Sequence, residues 1–453
     1  MTQATTLLTL LLCAGAAPAP AAASAAAPAP EAVALAPATP RPERERAALR
    51  ERINRLKLDT VLGPAMKAAD VQLWIVLTRE DAVDPVFPFV TPDGAYPGGR
   101  SAYLFIDEGG ARPRRVVLGS HPGAVSAGFF DEVVEVRGAD FQAALLARVE
   151  RLQPRRIAID KALETAAADG LSASAEGWLR EALGPHAARL VSAEPLVIEY
   201  LETRLPEERP LFAEAAALTR RLWEEAFSAA SIVPGKTTVG DLLWGIRQRM
   251  ADAHLGSWFR PDLRLQRRGG VFDPSRVADD AQVIERGDLL HLDLGITYLG
   301  YATDYQRMAY VARDGEQDAP AGLKKALAAT NRLQELLLAE MRPGRPGHEV
   351  HAAAMARARA EGLEAMIYSH SVGNFGHFVG AAIGSFGAGA KPGLRASLPL
   401  RAGSATSIEL NTASPVPEWG GQKVFVMLED DAWLSPEGMR WFLPRQERLI
   451  VVR

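Results

Sequence analysis

Short apolar runs alternate with helical patterns along residues 42–205. Five runs have the length of strands, and amphipathic stretches such as FQAALLARVERL lie between some of them. The five runs are VQLWIVL, SAYLFID, RRVVLG, EVVEV and RRIAID. This alternation predicts a mixed sheet covered by helices, which is an α/β domain. No glycine-rich phosphate loop opens any of these helices, so the region has no nucleotide-binding signature.

The pattern changes near residues 205–210, where LPEERP interrupts it. Helical stretches then follow, among them LFAEAAALTRRLWEEAFSAA and LKKALAATNRLQELLLAEM, with strand-like runs between and after them. We predict a domain boundary here, so that one domain occupies 42–205 and a second occupies 206–453.

The second region contains two apolar strands, LLHLDL and YQRMAYV, joined by a short glycine-containing turn. If the turn is centred between Tyr298 and Leu299, Asp293 and Asp304 lie directly opposite each other, with Cβ atoms roughly 4.5 to 5.5 Å apart. Like charges so placed repel, and a divalent cation between them would reverse the sign of the interaction. The spacing alone favours a plainer interpretation, in which one aspartate caps the turn and the other faces solvent.

Three later segments carry further side chains that bind metals. An apolar run ends at His370, and His377 follows in a loop with several glycines. Glu409 lies inside ATSIELN, and Glu429 lies at the end of KVFVMLE. A glutamate on an apolar strand is expensive to bury unless a cation satisfies it. With the two aspartates, these side chains form an oxygen-rich set with an imidazole, which suits two hard or borderline divalent ions.

Composition and charge narrow the choice of partners. The net charge of −4 leaves no basic footprint, so we expect no nucleic-acid partner. The only cysteine is Cys13, which lies in the N-terminal leader. A metal in the folded region must therefore be held by His, Asp and Glu.

The first 41 residues differ from the rest. Leu7 to Ala17 form an apolar run that is too short to span a bilayer but typical of a signal peptide, and an Ala/Pro-rich tract follows. No Lys or Arg precedes Arg41, so the usual basic segment is missing. We predict a signal peptide at 1–23, a linker at 24–41, a periplasmic or secreted protein, and no integral membrane segment after cleavage. An uncleaved leader on a cytoplasmic protein is the alternative.

These motifs together resemble the metallopeptidase family with the pita-bread fold, which includes methionine aminopeptidase, aminopeptidase P and prolidase. The hairpin resembles the family's Asp-x-Gly followed eleven residues later by Asp. HSVG at 370–373 resembles its His-Gly-x-Gly, with serine in place of the first glycine. SIE at 407–409 is similar to Thr-Ile-Glu, and LED at 428–430 is similar to Ile-Glu-Asp.

The resemblance implies an α/β N-terminal domain of the aminopeptidase P and creatinase branch, followed by an α+β pita-bread-fold catalytic domain. It also implies two divalent metal ions per chain, with manganese as the first expectation and zinc or cobalt as alternatives. Glu409 would accept the proton of a bridging water, and His377 would bind the substrate and polarise its carbonyl. The implied metal ligands are Asp293, Asp304, His370, Glu409 and Glu429.

The implied function is a dinuclear-metal-dependent hydrolase, most simply a peptidase of the Xaa-Pro aminopeptidase or dipeptidase type that cleaves peptides with a metal-bridged hydroxide. The expected partner is a peptide substrate, and a homodimer is also expected. Three alternatives remain open: a creatinase-like carbon-nitrogen hydrolase, a non-catalytic pita-bread binding module, and a structural protein whose acids are solvated.

The sequence departs from the family in one respect. Members usually carry another substrate-contacting histidine about seventeen or eighteen residues before the first ligand, where this chain has Ser275 and Arg276. The substrate class therefore stays open. His291 could point to the same strand face as Asp293, because successive side chains alternate, and compensate for the loss. We favour instead a histidine on the sheet that is satisfied by a neighbour.

Overall fold

The computed structural model of the chain describes residues 39–119, 128–384 and 391–453. The predicted signal peptide and nearly all of the predicted linker lie outside the described residues. The described part contains a six-stranded sheet near the N-terminus and a ten-stranded sheet further along the chain. This confirms the predicted order of an α/β domain followed by an α+β domain. None of the helices described is both long and apolar enough to cross a membrane.

The N-terminal domain is built from short helices and strands. The described elements are α1 (Glu43–Thr60), α2 (Leu62–Ala68), β1 (Leu73–Thr78), α3 (Phe87–Val90), β2 (Ser101–Ile106), β3 (Arg114–Gly119), β4 (Glu132–Glu135), α4 (Gly138–Leu152), β5 (Ile157–Ile159), α5 (Ala173–Leu183), β6 (Leu190–Ser192) and α6 (Glu194–Glu202).

The sheet of this domain is mixed, as predicted. Its strand order is β4-β3-β2-β1-β5-β6, in which β1 runs antiparallel to β2 and parallel to β5. All six residues of β1 and all six of β2 are buried, because helices cover both faces of the central strands. The five predicted runs form β1 to β5, whereas the three-residue strand β6 was not predicted.

The C-terminal domain contains the longest helix and the longest strand among the described residues. The described elements are α7 (Glu208–Ala226), α8 (Val239–Asp252), β7 (Asp262–Gln266), β8 (Leu289–Leu294), β9 (Thr297–Tyr298), β10 (Tyr301–Ala302), β11 (Tyr305–Val311), α9 (Ala321–Glu340), α10 (Gly347–Ala360), β12 (Glu364–Ile367), β13 (Ser369–Val372), β14 (Ala382–Ile383), α11 (Leu394–Ser397), β15 (Ala405–Val416), β16 (Gln422–Ser435), β17 (Gly438–Trp441) and β18 (Ile450–Val452).

The large sheet of this domain carries the predicted site on its central strands. Its main path is β14-β13-β15-β16-β11-β8-β7, and β12, β17 and β18 pair with β15, β16 and β11. Helices α7 and α8 pack on β7 and β8, and α9 and α10 pack against apolar residues of β15 and β16. Burying apolar side chains against these helices leaves the alternate positions of the central strands for polar groups. The domain limits at 42–205 and 206–453 stay predictions.

Candidate metal centre and active site

The five predicted ligands come from separate parts of the large sheet. Asp293 lies near the end of β8, Asp304 directly precedes β11, His370 lies in β13, Glu409 in β15 and Glu429 in β16. On each of β8 and β15 the residues on either side of the acid pack into an apolar core, so the acid points to the other face. Four antiparallel pairings then bring these positions to one place in the sheet.

The register of the hairpin differs from the prediction. Asp293 lies opposite Gln306 rather than Asp304, because the turn is centred between Leu299 and Gly300, one residue later than expected. Both central residues have positive φ, 55° and 80°, as a type I′ turn requires. Leucine is rarely found there, and the burial of its side chain in the core offsets a strain of about 1–2 kcal/mol.

The carboxylates nevertheless converge. One oxygen from each of Asp293, Asp304 and Glu429 lies within 4.8 Å of the others. Glu409 lies directly opposite Glu429 across the β15–β16 pair. The Ser407 hydroxyl donates to Glu429 Oε1 at 2.7 Å. Such closely spaced acids repel one another unless protons or a cation intervene.

His370 contributes the nitrogen of this cluster. Its Nδ1 lies 3.1 Å from the carbonyl oxygen of Ser371, and because a carbonyl only accepts, Nδ1 carries the proton. The other ring nitrogen, Nε2, faces the acids, at 3.6 Å from Asp304 Oδ2, 3.5 Å from Glu429 Oε1 and 3.8 Å from Glu409 Oε2. A histidine that donates from one ring nitrogen to a carbonyl and aims the other at carboxylates is oriented as metal-binding histidines are.

The raised pKa values and the unpartnered buried atoms of the cluster are both consistent with a bound cation. The pKa values of Asp293, Asp304 and Glu409 are raised well above the ordinary range, first by burial and then by the charge of Glu429. Asp293 Oδ1 and His370 Nε2 are buried and have no hydrogen-bond partner among the described residues. A divalent ion would satisfy both atoms and stabilise the ionised acids. The donor set therefore fits a metal centre of oxygen ligands with one imidazole.

His377 lies at the open side of the cluster. Its side chain is exposed, and the centroid of its ring is 4.5 Å from that of His370 and 5.2 Å from that of Trp258. A ring nitrogen of His377 lies within 4.8 Å of ligand atoms of both Asp304 and His370. Although His377 is exposed, its ring is partly desolvated by neighbouring atoms, and this desolvation, followed by the electrostatic effect of His370, lowers the pKa of His377. A neutral imidazole here can donate a hydrogen bond to a ligand that enters from the solvent.

His291 does not face the cluster as a free ligand. It is completely buried, its Nε2 lies 2.9 Å from Gln306 Oε1, and its Nδ1 lies 3.4 Å from Arg264 Nη1. Burial, with the nearby Arg264 charge, lowers the pKa of His291 to about 3. The favoured interpretation, a histidine satisfied by neighbours on the sheet, is therefore confirmed. Ser275 and Arg276, at the position of the missing histidine, are exposed in a segment after β7.

Three polar residues next to the cluster were not predicted from the sequence. Gln306 donates from Nε2 to Asp293 Oδ2 at 3.3 Å and to Glu409 Oε1 at 2.5 Å. On β7, Asp262 lies opposite Asp293, and Arg264 lies opposite His291. The alternation in DLRLQ was a usable signal, because it places these two charges on one face of a strand.

The sequence profile of metallopeptidase family M24 matches residues 211–435, which include every predicted ligand and His377. The C-terminal domain belongs to metallopeptidase family M24. A curated protein, the uncharacterized peptidase YqhT of Bacillus subtilis (strain 168), is 31% identical over 181 residues. That alignment spans 40% of this chain and 45% of the relative.

Solved structures share the fold of nearly the whole chain. The X-Pro aminopeptidase from Thermotoga maritima MSB8 aligns with a TM-score of 0.64 and 20% identity, covering 86% of this chain and 100% of that one. The dipeptidase PepE from Mycobacterium ulcerans gives 0.62 and 19%, covering 89% and 98%. The N-terminal domain of the FACT complex subunit SPT16 from Cicer arietinum gives 0.60 and 14%, covering 89% and 99%. The M24 domain of this chain thus follows an N-terminal domain of the kind found in these proteins.

Proposed function

We propose that this protein is a dinuclear-metal-dependent peptidase of the Xaa-Pro aminopeptidase or dipeptidase type. The observation that carries the proposal is the convergence of four carboxylates and His370 in one cluster, with Asp293 Oδ1 and His370 Nε2 buried and unpartnered among the described residues. Such a donor set has room for more than one ion, because carboxylates can bridge two. The M24 match and the fold shared with an X-Pro aminopeptidase support the substrate class.

The side chains have separate roles in this proposal. When bound, the divalent ions supply an activated water nucleophile and polarise the substrate carbonyl. Glu409 is the proton acceptor in this proposal. It is a carboxylate at the edge of the cluster, and its Oε2 faces His370. His377 is neutral and exposed, and donates a hydrogen bond to the carbonyl oxygen of the peptide. We propose manganese as the native metal, with zinc or cobalt as alternatives.

Metal analysis and a peptide panel test the proposal together. Freshly purified protein should contain about two divalent ions per chain, and metal-restored protein should hydrolyse dipeptides or longer peptides. Paired substrates with and without proline after the scissile bond identify the class. Protein that binds two ions but cleaves no member of the panel would contradict peptidase activity.

A non-catalytic pita-bread module is the second candidate. The observation in its favour is the shared fold of the SPT16 domain, a component of a complex that is not named as a peptidase. The exposed serine and arginine at 275–276, in place of the substrate-contacting histidine, point the same way.

A creatinase-like carbon-nitrogen hydrolase is the third candidate. Hydrolysis of creatine but not peptides by metal-restored protein would favour it over both.

We also propose that the mature protein is periplasmic or secreted and forms a homodimer. The support for export is the apolar Leu7 to Ala17 run and the Ala/Pro tract after it. Mass spectrometry of protein from the native host should find an N-terminus between Ala17 and Arg41. An intact Met1 or Thr2 in the cytoplasmic fraction would contradict export, and a monomer in sedimentation experiments would contradict the dimer.

A further inference from the structure

Three buried or half-buried side chains form a continuous polar chain from β7 to the cluster of predicted metal ligands. Arg264 on β7 lies opposite His291 on β8, and His291 reaches across to Gln306 on β11. Gln306 and His291 are 2% and 0% exposed, so water does not compete for these hydrogen bonds. We name this set, Arg264, His291 and Gln306, the β7–β11 polar chain.

The carboxylates at one end of the β7–β11 polar chain determine the direction of each hydrogen bond along it. Ionised carboxylates only accept, so the amide nitrogen of Gln306 faces Asp293 and Glu409, and its Oε1 faces His291. His291 must then carry its proton on Nε2, and its Nδ1 is an acceptor. The cationic Nη1 of Arg264 lies on that side, and Asp262 Oδ1 accepts from the same nitrogen at 3.0 Å. Arg264 Nη1, His291 Nε2 and Gln306 Nε2 thus each point towards an acceptor.

Gln306, at the end of the β7–β11 polar chain, bonds to one carboxylate oxygen of each of two predicted ligands and leaves the other oxygen free of that bond. Gln306 holds Oδ2 of Asp293 and leaves Oδ1 buried without a partner among the described residues. It holds Oε1 of Glu409, while Oε2 faces His370 at 3.8 Å. A neutral amide can lie between two carboxylates without neutralising either, so both remain available to a cation.

We propose that Gln306, oriented by His291 and Arg264, is a positioning residue that fixes which oxygens of Asp293 and Glu409 face the metal centre. Only the expected change in kcat rests on the proposed function; the expected change in metal affinity does not. It also gives His291 a role other than substrate contact, since both of its ring nitrogens are engaged inside the protein.

Gln306→Met tests the proposal directly, because methionine keeps the length of the side chain and removes both N–H donors. Apoprotein prepared by chelation is titrated with Mn²⁺ in a calorimeter, and kcat and KM are measured at saturating Mn²⁺. Loss of a group that orients metal ligands typically weakens metal binding by about 10- to 100-fold. We expect that loss for Gln306→Met, together with a lower kcat and a nearly unchanged KM.

The matched control is Gln266→Met on β7. Gln266 is also buried, at 1% exposure, but it bonds to the backbone of Phe425 rather than to a predicted ligand. It should lose stability as Gln306→Met does while keeping its Mn²⁺ affinity. Equal Mn²⁺ affinities for the two variants, whether both unchanged or both weakened, would overturn the proposal.

Substitution of His291 separates orientation from packing. His291→Gln can place an amide N–H where Nε2 lies and should retain Mn²⁺ affinity within a few-fold of the wild type. His291→Leu has no donor and should weaken Mn²⁺ binding as Gln306→Met does. Equal Mn²⁺ affinities for these two variants would show that His291 does not orient Gln306. Because Mn²⁺ binding is measured without substrate, wild-type protein that binds Mn²⁺ but cleaves no peptide would contradict the proposed function and leave this comparison decisive.

Discussion

Both domains bury acidic side chains, but they satisfy them differently. In the N-terminal domain, Asp84 and Asp160 are almost wholly buried and close enough to share a hydrogen bond. Trp74 Nε1 donates to Asp160 Oδ1 at 2.7 Å, and the backbone nitrogen of Val86 donates to Asp84 Oδ1 at 2.9 Å. Burial raises the pKa of Asp160 well above its usual range and that of Asp84 to about 6. One proton held between the two carboxyl groups removes their repulsion.

The acids of the C-terminal domain cannot be satisfied in that way. Asp293 and Asp304 also have raised pKa values through burial, but each faces several other acids rather than one. His370 faces these acids with Nε2 at 3.5–3.6 Å from Asp304 and Glu429, and this nitrogen has no hydrogen-bond partner among the described residues. The comparison shows that a raised pKa alone does not distinguish a metal centre from a structural acid pair. The convergence of several carboxylates and a histidine nitrogen on one place does distinguish them.

Removing a predicted ligand should give the largest difference between the two regions. Asp293→Ala and Asp304→Ala should weaken metal binding by more than about 100-fold, the upper end for groups that only orient ligands, and activity should fall with it. The fold should persist, since one of several repelling acids is gone. Asp160→Asn is the control and should keep its metal. Elemental analysis that finds normal metal in either alanine variant would refute the dinuclear assignment.

The roles inside the cluster can then be separated by rate. Glu409→Gln removes a proton acceptor and should slow hydrolysis by roughly 10²- to 10⁴-fold even at saturating metal. Glu429→Gln should act through metal loss and recover substantially when excess metal is supplied. His377→Ala should keep its metal and remain slow. Equal recovery of all three variants would show that Glu409 is only a ligand.

Metal should stabilise the C-terminal acids and leave the N-terminal pair unaffected. A ligand that binds only the folded state adds about 2.7 kcal/mol to the free energy of unfolding at 100 times its Kd. Urea unfolding with and without Mn²⁺ should show this gain in the wild type and in Asp160→Asn. The gain should vanish in Asp304→Ala. A similar gain in all three proteins would mean that Mn²⁺ binds elsewhere.

The smallest effect concerns the N-terminal pair and pH. The folded protein holds a proton at Asp84 up to a pKa of about 6, against 3.8 in the unfolded chain, so stability should fall as pH rises from about 4 to about 6. Asp160→Asn removes the second carboxyl group with a raised pKa but leaves Asp84 buried, so the fall should be smaller than in the wild type. At pH 7.5 the variant should be more stable than the wild type by about 1–3 kcal/mol in urea unfolding. Parallel pH profiles for the two proteins would argue against a shared proton.

Local patterns predicted much of the fold. The five runs that form β1 to β5 are recognisable from their length and apolar content, and the family motifs alone point to the metallopeptidase domain. The hairpin register was wrong because Leu299 occupies a turn position that normally selects glycine or asparagine. Its side chain is held in the core by residues that are distant in sequence, and no local pattern reports that.

The sequence by itself determined the chemical nature of the candidate site: acids and one histidine on apolar strands, with cysteine absent from the folded region. Only the tertiary structure decided which oxygens face one another and which atoms stay without partners. Gln306 is the clearest case, because a glutamine within a strand carries neither charge nor motif. Its importance arises from strand pairing, which sets it between Asp293 and Glu429 across neighbouring strands and within reach of Glu409. Such relations depend on register and burial, which are properties of the whole sheet rather than of any segment.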